Sequence, residues 1–573
     1  MNIATKGGGV RLLLPGLALA SATTVMLVRY GVPFVSPRPR GYGQYELHGI
    51  RRADPTFAVG DWFIEQTTSY HYTHTSLVAW AAGRGHLDEY LTALLFLTPL
   101  LLLLAAFVMF RAIGERRDWV LAAPVLMLLE FGVRDTWGSQ SLQDPWHGLA
   151  VLSLAMAATG RWRTSAALGV LAFYGHFSVG IWLFLLLGIL WVGELASGRM
   201  RLRQPLALGT ASVLLLSPLL LRAGSDFLSR SGAADYGILF FLRSPHHYSF
   251  LDFGTYAHAR AVVVLLVAVA AEAVLKPLHR RLRLAIWSMV FLQLGGFVFL
   301  ELLEWPLYLR LFPYRVAPWL TFMAVVLSVR LATDRAARWP SRALGLLSVL
   351  TLLALERPGL MAAVGSAFAR FVVPAIWILI GITAVVLAVM RRGVEANRIA
   401  TATLLTAALL VPAYIGVREG SFESLATGRE ASGAAIDSFG SWVQSIVPVG
   451  EVVLIPPDQT NFRVSTSRGV VVDFKTTPMG GSELEEWRER MESVTGKPLE
   501  RVRGQGPPLE TKSTEAYGRR SWEELVAVAE RYGAAHILLR PDAQGLAGLV
   551  DEDVQIGRFA QEWVLVSLGS TIQ

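Results

Sequence analysis

Up to about residue 418 the apolar residues of this chain run in long blocks, neither alternating nor recurring on one helical face. About thirteen blocks can be placed, near residues 10–29, 89–111, 119–133, 146–159, 164–177, 178–194, 205–221, 259–275, 285–303, 313–329, 342–356, 370–390 and 399–417. Leu, Ala, Val and Phe fill them, and Pro or Gly interrupts many, as neighbouring transmembrane helices tolerate. Several are shorter than the roughly 20 residues of a full crossing. Segments apolar all round predict helices solvated by lipid. From about residue 419 the pattern changes. "EVVLIPP", "GVVVDFK", "AAHILLRP" and "EWVLVSL" read as buried strands, and "SELEEWRERMESV" and "SWEELVAVAERYG" as amphipathic helices. Strands alternating with helices predict a small α/β sandwich. The expected fold is an all-α polytopic membrane bundle of about 13 transmembrane helices (residues 1–418), with a long first outer loop at 30–88, followed by a soluble α/β domain at 419–573.

Composition agrees with that reading. Hydrophobic residues make up 53% of the chain, charged residues 17% and the mean hydropathy is +0.45, against roughly 25% charge in soluble domains. No cysteine is present, which excludes disulfides, thiolate metal sites and cysteine nucleophiles. The net charge of +8 does not point to nucleic acid, because the arginines cluster in short loops between apolar blocks. "RAIGERRD", "GRWR", "SGRMRLR", "KPLHRRLR", "RLATDRAARWPSR" and "RRGVEANR" all fall on the side of the amino terminus with Lys6 and Arg11. By the positive-inside rule that side is cytoplasmic, so a multi-pass plasma (inner) membrane protein with its carboxy-terminal domain outside is expected. The first block, "RLLLPGLALASATTVMLV", has the core of a signal peptide, but "VMLVRY" prolongs it and favours an uncleaved anchor. The preference for Arg over Lys points to a GC-rich bacterial genome.

This topology gathers the ionisable residues on one side. The outer loops contain "DPTFAVGDWFIEQTTSYHYTHT" (54–75), "RDTWGSQSLQDPWHG" (134–148), the break "YGHFS" (174–178), "RSPHHY" in the 222–258 loop and "ELLEWPLYLRLFPYR" (301–315). Ionisable groups at a membrane are costly, so such a collection marks a functional region. Arg243, His246, His247, Arg310 and Arg315 are candidates to present a positive surface to a phosphate, with His176 at the helix break a further substrate-binding candidate. The alternative for Arg310 and Arg315 is headgroup anchoring at helix ends. His71 and His74, one helical turn apart, with Asp135, Asp144 and His147, leave room for a divalent cation such as Mg or Mn, which is left open. In the tail, Arg463 and Arg468 of "NFRVSTSRG" are read either as contacts to an anionic ligand or as a solvated turn.

Four features resemble the GT-C superfamily of polytopic glycosyltransferases: the acidic first outer loop "DPTFAVGDWF", the second outer loop "SQSLQDPWHGLA" leading into a short helix, the helix pair broken at "GHFSVGI", and an outer α/β tail after about thirteen spans. The layout is similar to that of oligosaccharyltransferase catalytic subunits, although the tail has no "WWDYG"-like acceptor motif. The resemblance implies transfer of a sugar from a polyprenyl-phosphate-linked donor to an acceptor at the outer face of the membrane, with membrane lipids and that donor as partners. It also implies an essential acid on the first outer loop. The matching positions are Asp61, flanked by Gly60 and Trp62, and second Asp54, for which an Asx turn at Asp54-Pro55 is the structural alternative. A lipid or glycan transporter or flippase, and a non-catalytic membrane scaffold with an α/β binding domain, are the competing classes.

Overall fold

The computed structural model describes residues 44–67, 71–113, 144–229, 280–305, 313–333, 429–478, 481–500, 508–551 and 555–568, with isolated positions within 237–242, 264–268 and 308–349. The apolar blocks that fall there are helical. They form α4 (Leu87–Ala112), α5 (Asp144–Ala158), α6 (Trp162–Gly175), α7 (Phe177–Ala196), α8 (Arg203–Ser229), α9 (Arg280–Gly296, continuing as a π turn over Phe297–Leu302) and α10 (Ala317–Thr333, entered through a 3-10 turn at Pro313–Val316). Among the described residues, four helical stretches are long and apolar enough to cross a membrane: Phe177–Ala196, Arg203–Arg222, Arg280–Leu302 and Pro313–Thr333. The expected blocks at 10–29, 119–133, 370–390 and 399–417 lie outside the described residues.

These helices are apolar on both faces, and the structure separates the two uses. On α4, Ala105, Ala106, Met109 and Phe110 are buried, whereas Leu100, Leu104 and Phe107 form an exposed stripe. On α8, Val213, Leu214, Leu215 and Leu221 are likewise exposed. Exposed leucines at this density are unfavourable in water and neutral in lipid. Small residues bring neighbouring backbones close. Ala150, Ala155 and Ala157 of α5 are fully buried or nearly so, and Ser153 donates to the Ser165 carbonyl of α6 at 2.8 Å.

At one end of the bundle Arg281 of α9 pairs with buried Glu194 of α7 at 2.7 Å and lies over the Trp162 ring of α6. Gly160, at φ +78°, makes room for it, since a Cβ there would stand 2.7 Å from Arg281 Nη1. The start of α5, the α6–α7 junction and the turn before α10 therefore lie at the opposite end.

The segment between the apolar blocks at 10–29 and 89–111, expected as the first outer loop, contributes α1 (Gln44–Ala53), α2 (Trp62–Gln66) and α3 (Tyr72–Ala82). α1 and α3 cross at Gly49, where a Cβ would come within 2.7 Å of Val78 and the Thr75 carbonyl.

The tail opens with α11 (Arg429–Ile446) and contains β1 (Val452–Leu454), α12 (Phe462–Thr466), β2 (Gly469–Val470), α13 (Gly481–Thr495), α14 (Pro508–Gly518), α15 (Trp522–Tyr532), β3 (Ala534–Leu539), β4 (Gln555–Phe559) and β5 (Trp563–Ser567). The sheet order is β2-β1-β3-β5-β4, parallel across β2, β1 and β3 and antiparallel from β3 to β5 and β4. Side chains alternate between two cores. Val453, Leu538 and Leu565 face α11 and α12 with Val443, Val447 and Phe462, while Leu454, Ile537, Leu539 and Val566 face the other layer with Trp487, Leu525 and Ala529. α15 shows how directly sequence dictates form here: Ser521 and Glu524 close a capping box, and Gly533, at φ +67°, stops the helix one residue before β3.

Candidate functional site

Two buried polar assemblies stand out, one where the first outer loop meets the tail and one at the adjacent end of the helix bundle.

The first is built on Asp61. It is the N-cap of α2, accepting the Ile64 amide at 3.2 Å on Oδ1. Its other oxygen receives Arg463 Nε at 2.6 Å and the Val470 amide at 2.9 Å. Arg463 in turn donates to Asp473 and, at 3.1 Å, to Thr476 Oγ1. Asp61 and Asp473 are 0% exposed and Arg463 2%. Burial disfavours the Arg463 charge, but the two carboxylates outweigh it and raise its pKa above the ordinary value. Around this ion cluster the backbones touch: Ala58 N–H donates to the Ser467 carbonyl at 3.0 Å, and a Cβ on Gly469 would lie 2.9 Å from the Val59 carbonyl. Residues 58–61 thus cover the open edge of β2. Arg490 of α13 stacks over Trp62 at 4.8 Å and over Tyr532 at 4.6 Å.

The second assembly is a set of histidines around Arg315. His176 separates α6 from α7, and its ring lies 4.7 Å from that of His71 at the start of α3. Two glycines shape that break: a Cβ on Gly175 would fall within 2.5 Å of three indole carbons of Trp146, and one on Gly180 within 2.5 Å of Phe173. His147, next to Trp146, accepts Trp319 Nε1–H on Nδ1 at 3.0 Å, so its neutral ring carries its proton on Nε2. His176 Nδ1 contacts Ser178 Oγ at 3.0 Å; its Nε2 is buried and has no hydrogen-bond partner among the described residues. Arg315 is 6% exposed and stands within electrostatic reach of His71, His147 and His176. Burial first, then His74 and Arg315, hold the His71 pKa well below 6.5, so His71 is neutral at physiological pH. One turn along α3, His74 contacts fully buried Glu46 at 3.3 Å through Nε2 and Tyr90 Oη at 3.0 Å through Nδ1. Arg222, at the end of the apolar part of α8, covers the Tyr72 ring at 4.3 Å.

These positions change several expectations. Asp61, expected at the wall of an acceptor site, is enclosed between loop and tail with Arg463 as its partner. Asp54 is exposed, and its Oδ1 accepts the Thr56 amide at 2.9 Å and the Thr56 hydroxyl at 2.6 Å. This is the Asx turn, and those two bonds lower its pKa. Arg463 and Arg468 do not form a solvated turn; both are buried, Arg463 paired with Asp61 and Asp473 and Arg468 donating to the Val447 carbonyl at 2.7 Å. Arg315 is internal, unlike a headgroup anchor. Arg243, His246, His247, Arg310 and Asp135 lie outside the described residues. Among the described residues no three His, Asp or Glu side chains converge to hold a metal ion. Glu46, Tyr90, Ser178 and Trp319 went unnoticed in the sequence; the pattern "YELH" beside an outer loop rich in histidine was the available signal for Glu46.

A family described as a domain of unknown function (DUF6798) matches residues 434–494, the stretch that holds Arg463, Asp473 and Arg490. No curated protein matches the chain. Among solved structures, ArnT from Cupriavidus metallidurans aligns in its apo state and bound to undecaprenyl phosphate, both at TM-score 0.50 and 16% identity. The alignments cover 98% of this chain and 98% and 99% of those chains. The archaeal oligosaccharyltransferase AglB from Archaeoglobus fulgidus, in complex with an inhibitory peptide and a dolichol-phosphate, aligns at TM-score 0.35 and 11% identity over 93% of this chain and 70% of that one. The fold is GT-C-like.

Proposed function

We propose that the chain is a membrane glycosyltransferase that takes a sugar from a polyprenyl-phosphate carrier at the outer face of the membrane, its donor phosphate held by the histidines around Arg315. The observation that carries this reading is the buried Nε2 of His176, without a hydrogen-bond partner among the described residues, near Arg315 and the Nε2–H of His147. A phosphodiester is anionic and is attracted by the Arg315 guanidinium, and its oxygens need N–H donors of the kind neutral imidazoles supply. The whole-chain GT-C-like fold supports the same assignment.

In the displacement, the acceptor hydroxyl attacks the anomeric carbon, its proton passes to a base, and the sugar–phosphate C–O bond breaks with the electrons leaving on phosphate. We place the base in the Glu46–His74 pair, since the Asp61 carboxylate is already occupied by Arg463 and two backbone amides. Arg243, His246, His247 and Arg310 belong in this reading to the same phosphate-binding surface.

The test uses the full chain in nanodiscs. Titrated undecaprenyl phosphate is expected to bind wild type and to bind His176→Ala and Arg315→Gln at least tenfold more weakly, about 1.4 kcal/mol. Glu46→Gln should keep that affinity and lose transfer by about 10² to 10⁴-fold. Equal lipid affinity in all variants would overturn the site, and undiminished transfer by Glu46→Gln would overturn the base.

A further inference from the structure

We infer that Arg463 of the tail is a positioning residue for the histidine assembly, acting through Asp61 and the three short helices of the first outer loop; the inference rests on the proposed site.

The connection can be followed atom by atom. Arg463 Nε binds Asp61, the cap of α2. Thr67, which ends α2, offers its carbonyl to His48 Nε2 of α1 at 3.2 Å, and the His48 ring packs on Phe63 of α2 at 5.1 Å. Two residues before His48, Glu46 engages His74 of α3. His71 opens the same helix and meets His176. Every member of this path is buried or half-buried, and α1 is locked onto α3 at Gly49.

The ion cluster suits a latch better than a binding site. Two carboxylates share one guanidinium, and the excess negative charge is met by amides: Val470 and Ile64 donate to Asp61, while Lys475 and Thr476 donate to Asp473 Oδ1 at 2.8 and 2.7 Å. Two carboxylates to one guanidinium leave the cluster with a net negative charge, which disfavours an outside anion. Arg is required because one planar fork must reach two carboxylates in fixed directions. A lysine keeps the charge and serves one of them. The tail thereby sets the angle at which the first outer loop delivers Glu46, His71 and His74 to the bundle.

The experiment is hydrogen exchange of the full chain in lipid nanodiscs, comparing wild type with Arg463→Lys and Asp61→Asn, alongside donor affinity and turnover. Arg463→Lys is expected to raise exchange across 58–67 and also across 44–53 and 71–82, while β3 and β5 stay protected. Turnover should fall at least tenfold and undecaprenyl phosphate affinity by clearly less than that, because His147, His176 and Arg315 stand on the helix bundle and only His71 moves with the loop. Asp61→Asn, which retains the α2 cap, should give the same pattern more weakly. Exchange confined to 58–67, or donor affinity falling in step with turnover, would overturn the inference. Coupled exchange in a chain that transfers no sugar would sink the proposed function and leave the positioning role intact. Unchanged exchange in a chain with normal transfer would do the reverse.

Discussion

Gly175→Ala puts the geometry of the helix break to a quantitative test. The added methyl would sit within 2.5 Å of Cδ2, Cε3 and Cε2 of Trp146, where carbon contacts are comfortable at about 3.5–4.0 Å. The indole or α6 must therefore yield by at least about 1 Å. Trp146 packs against the core cluster that includes Val151, Leu152 and Trp182, and overpacking of that kind costs about 1–3 kcal/mol. The displacement falls on the residues that precede His147 and His176 in the chain, so it disturbs the backbone that carries both imidazoles. Loss of phosphate affinity should accompany loss of stability. Gly188→Ala in α7 is the control: nothing among the described residues lies within 4 Å of its Cβ, and removing a mid-helix glycine is worth up to about 1 kcal/mol in the stabilising direction. Thermal unfolding of both variants in nanodiscs, followed by undecaprenyl phosphate titration, reads the contrast. A Gly175→Ala protein that melts with wild type and binds lipid equally well would refute the packing of Trp146 against the break.

Two further outcomes are expected. Burial lowers the pKa of both His48 and His71, that of His71 to about 3, whereas the unfolded chain protonates both near 6.5. The unfolded state therefore binds more protons below that pH; the stabilisation is present above about pH 6.5 and is lost as pH falls, on the order of 1 kcal/mol for His71 by pH 5.5. The melting temperature should drop between pH 7.5 and 5.5, and His71→Gln should shrink that drop; an unaltered slope would show that His71 titrates normally. On the proposed function, His246→Ala with His247→Ala is expected to weaken donor affinity while leaving insertion and melting unchanged, because the sequence pattern places "RSPHHY" in a loop and loops carry little of the core packing; undiminished affinity would demote "RSPHHY" to a turn.

What could be read from sequence divides according to the range of the forces involved. The apolar blocks at 89–111, 178–194 and 313–329 needed only local hydropathy, and their helices coincide with α4, α7 and α10 to within a few residues. The tail strands and the α15 cap were legible for the same reason: alternation, Ser521, Glu524 and Gly533 are all local signals. α11, α14 and β4 were not, being polar or short segments whose structure comes from packing on a sheet the sequence does not display. At the helix break the glycines could be seen; that Trp146 fills the space of one could not.

Asp61 marks the limit of such reading most clearly. Its local surroundings, a glycine before it and aromatics after it, suit an exposed catalytic acid and a helix N-cap equally well. The choice between them depends on Arg463, 402 residues away in sequence. Arg463 had its own two local readings, ligand contact and solvated turn, and neither included a carboxylate from the same chain. A buried charge is tolerated only when its partners are already in place, and removing one member of such a set costs several kcal/mol because the others remain desolvated. Arg463→Met would strand Asp61 and Asp473 together, two carboxylates with no exposure, whereas Asp61→Asn leaves Arg463 neutralised by Asp473. The larger loss on the arginine side follows from charge balance alone. It explains why the residue that local sequence marks as chemical is, in the fold, the one that ties loop to tail.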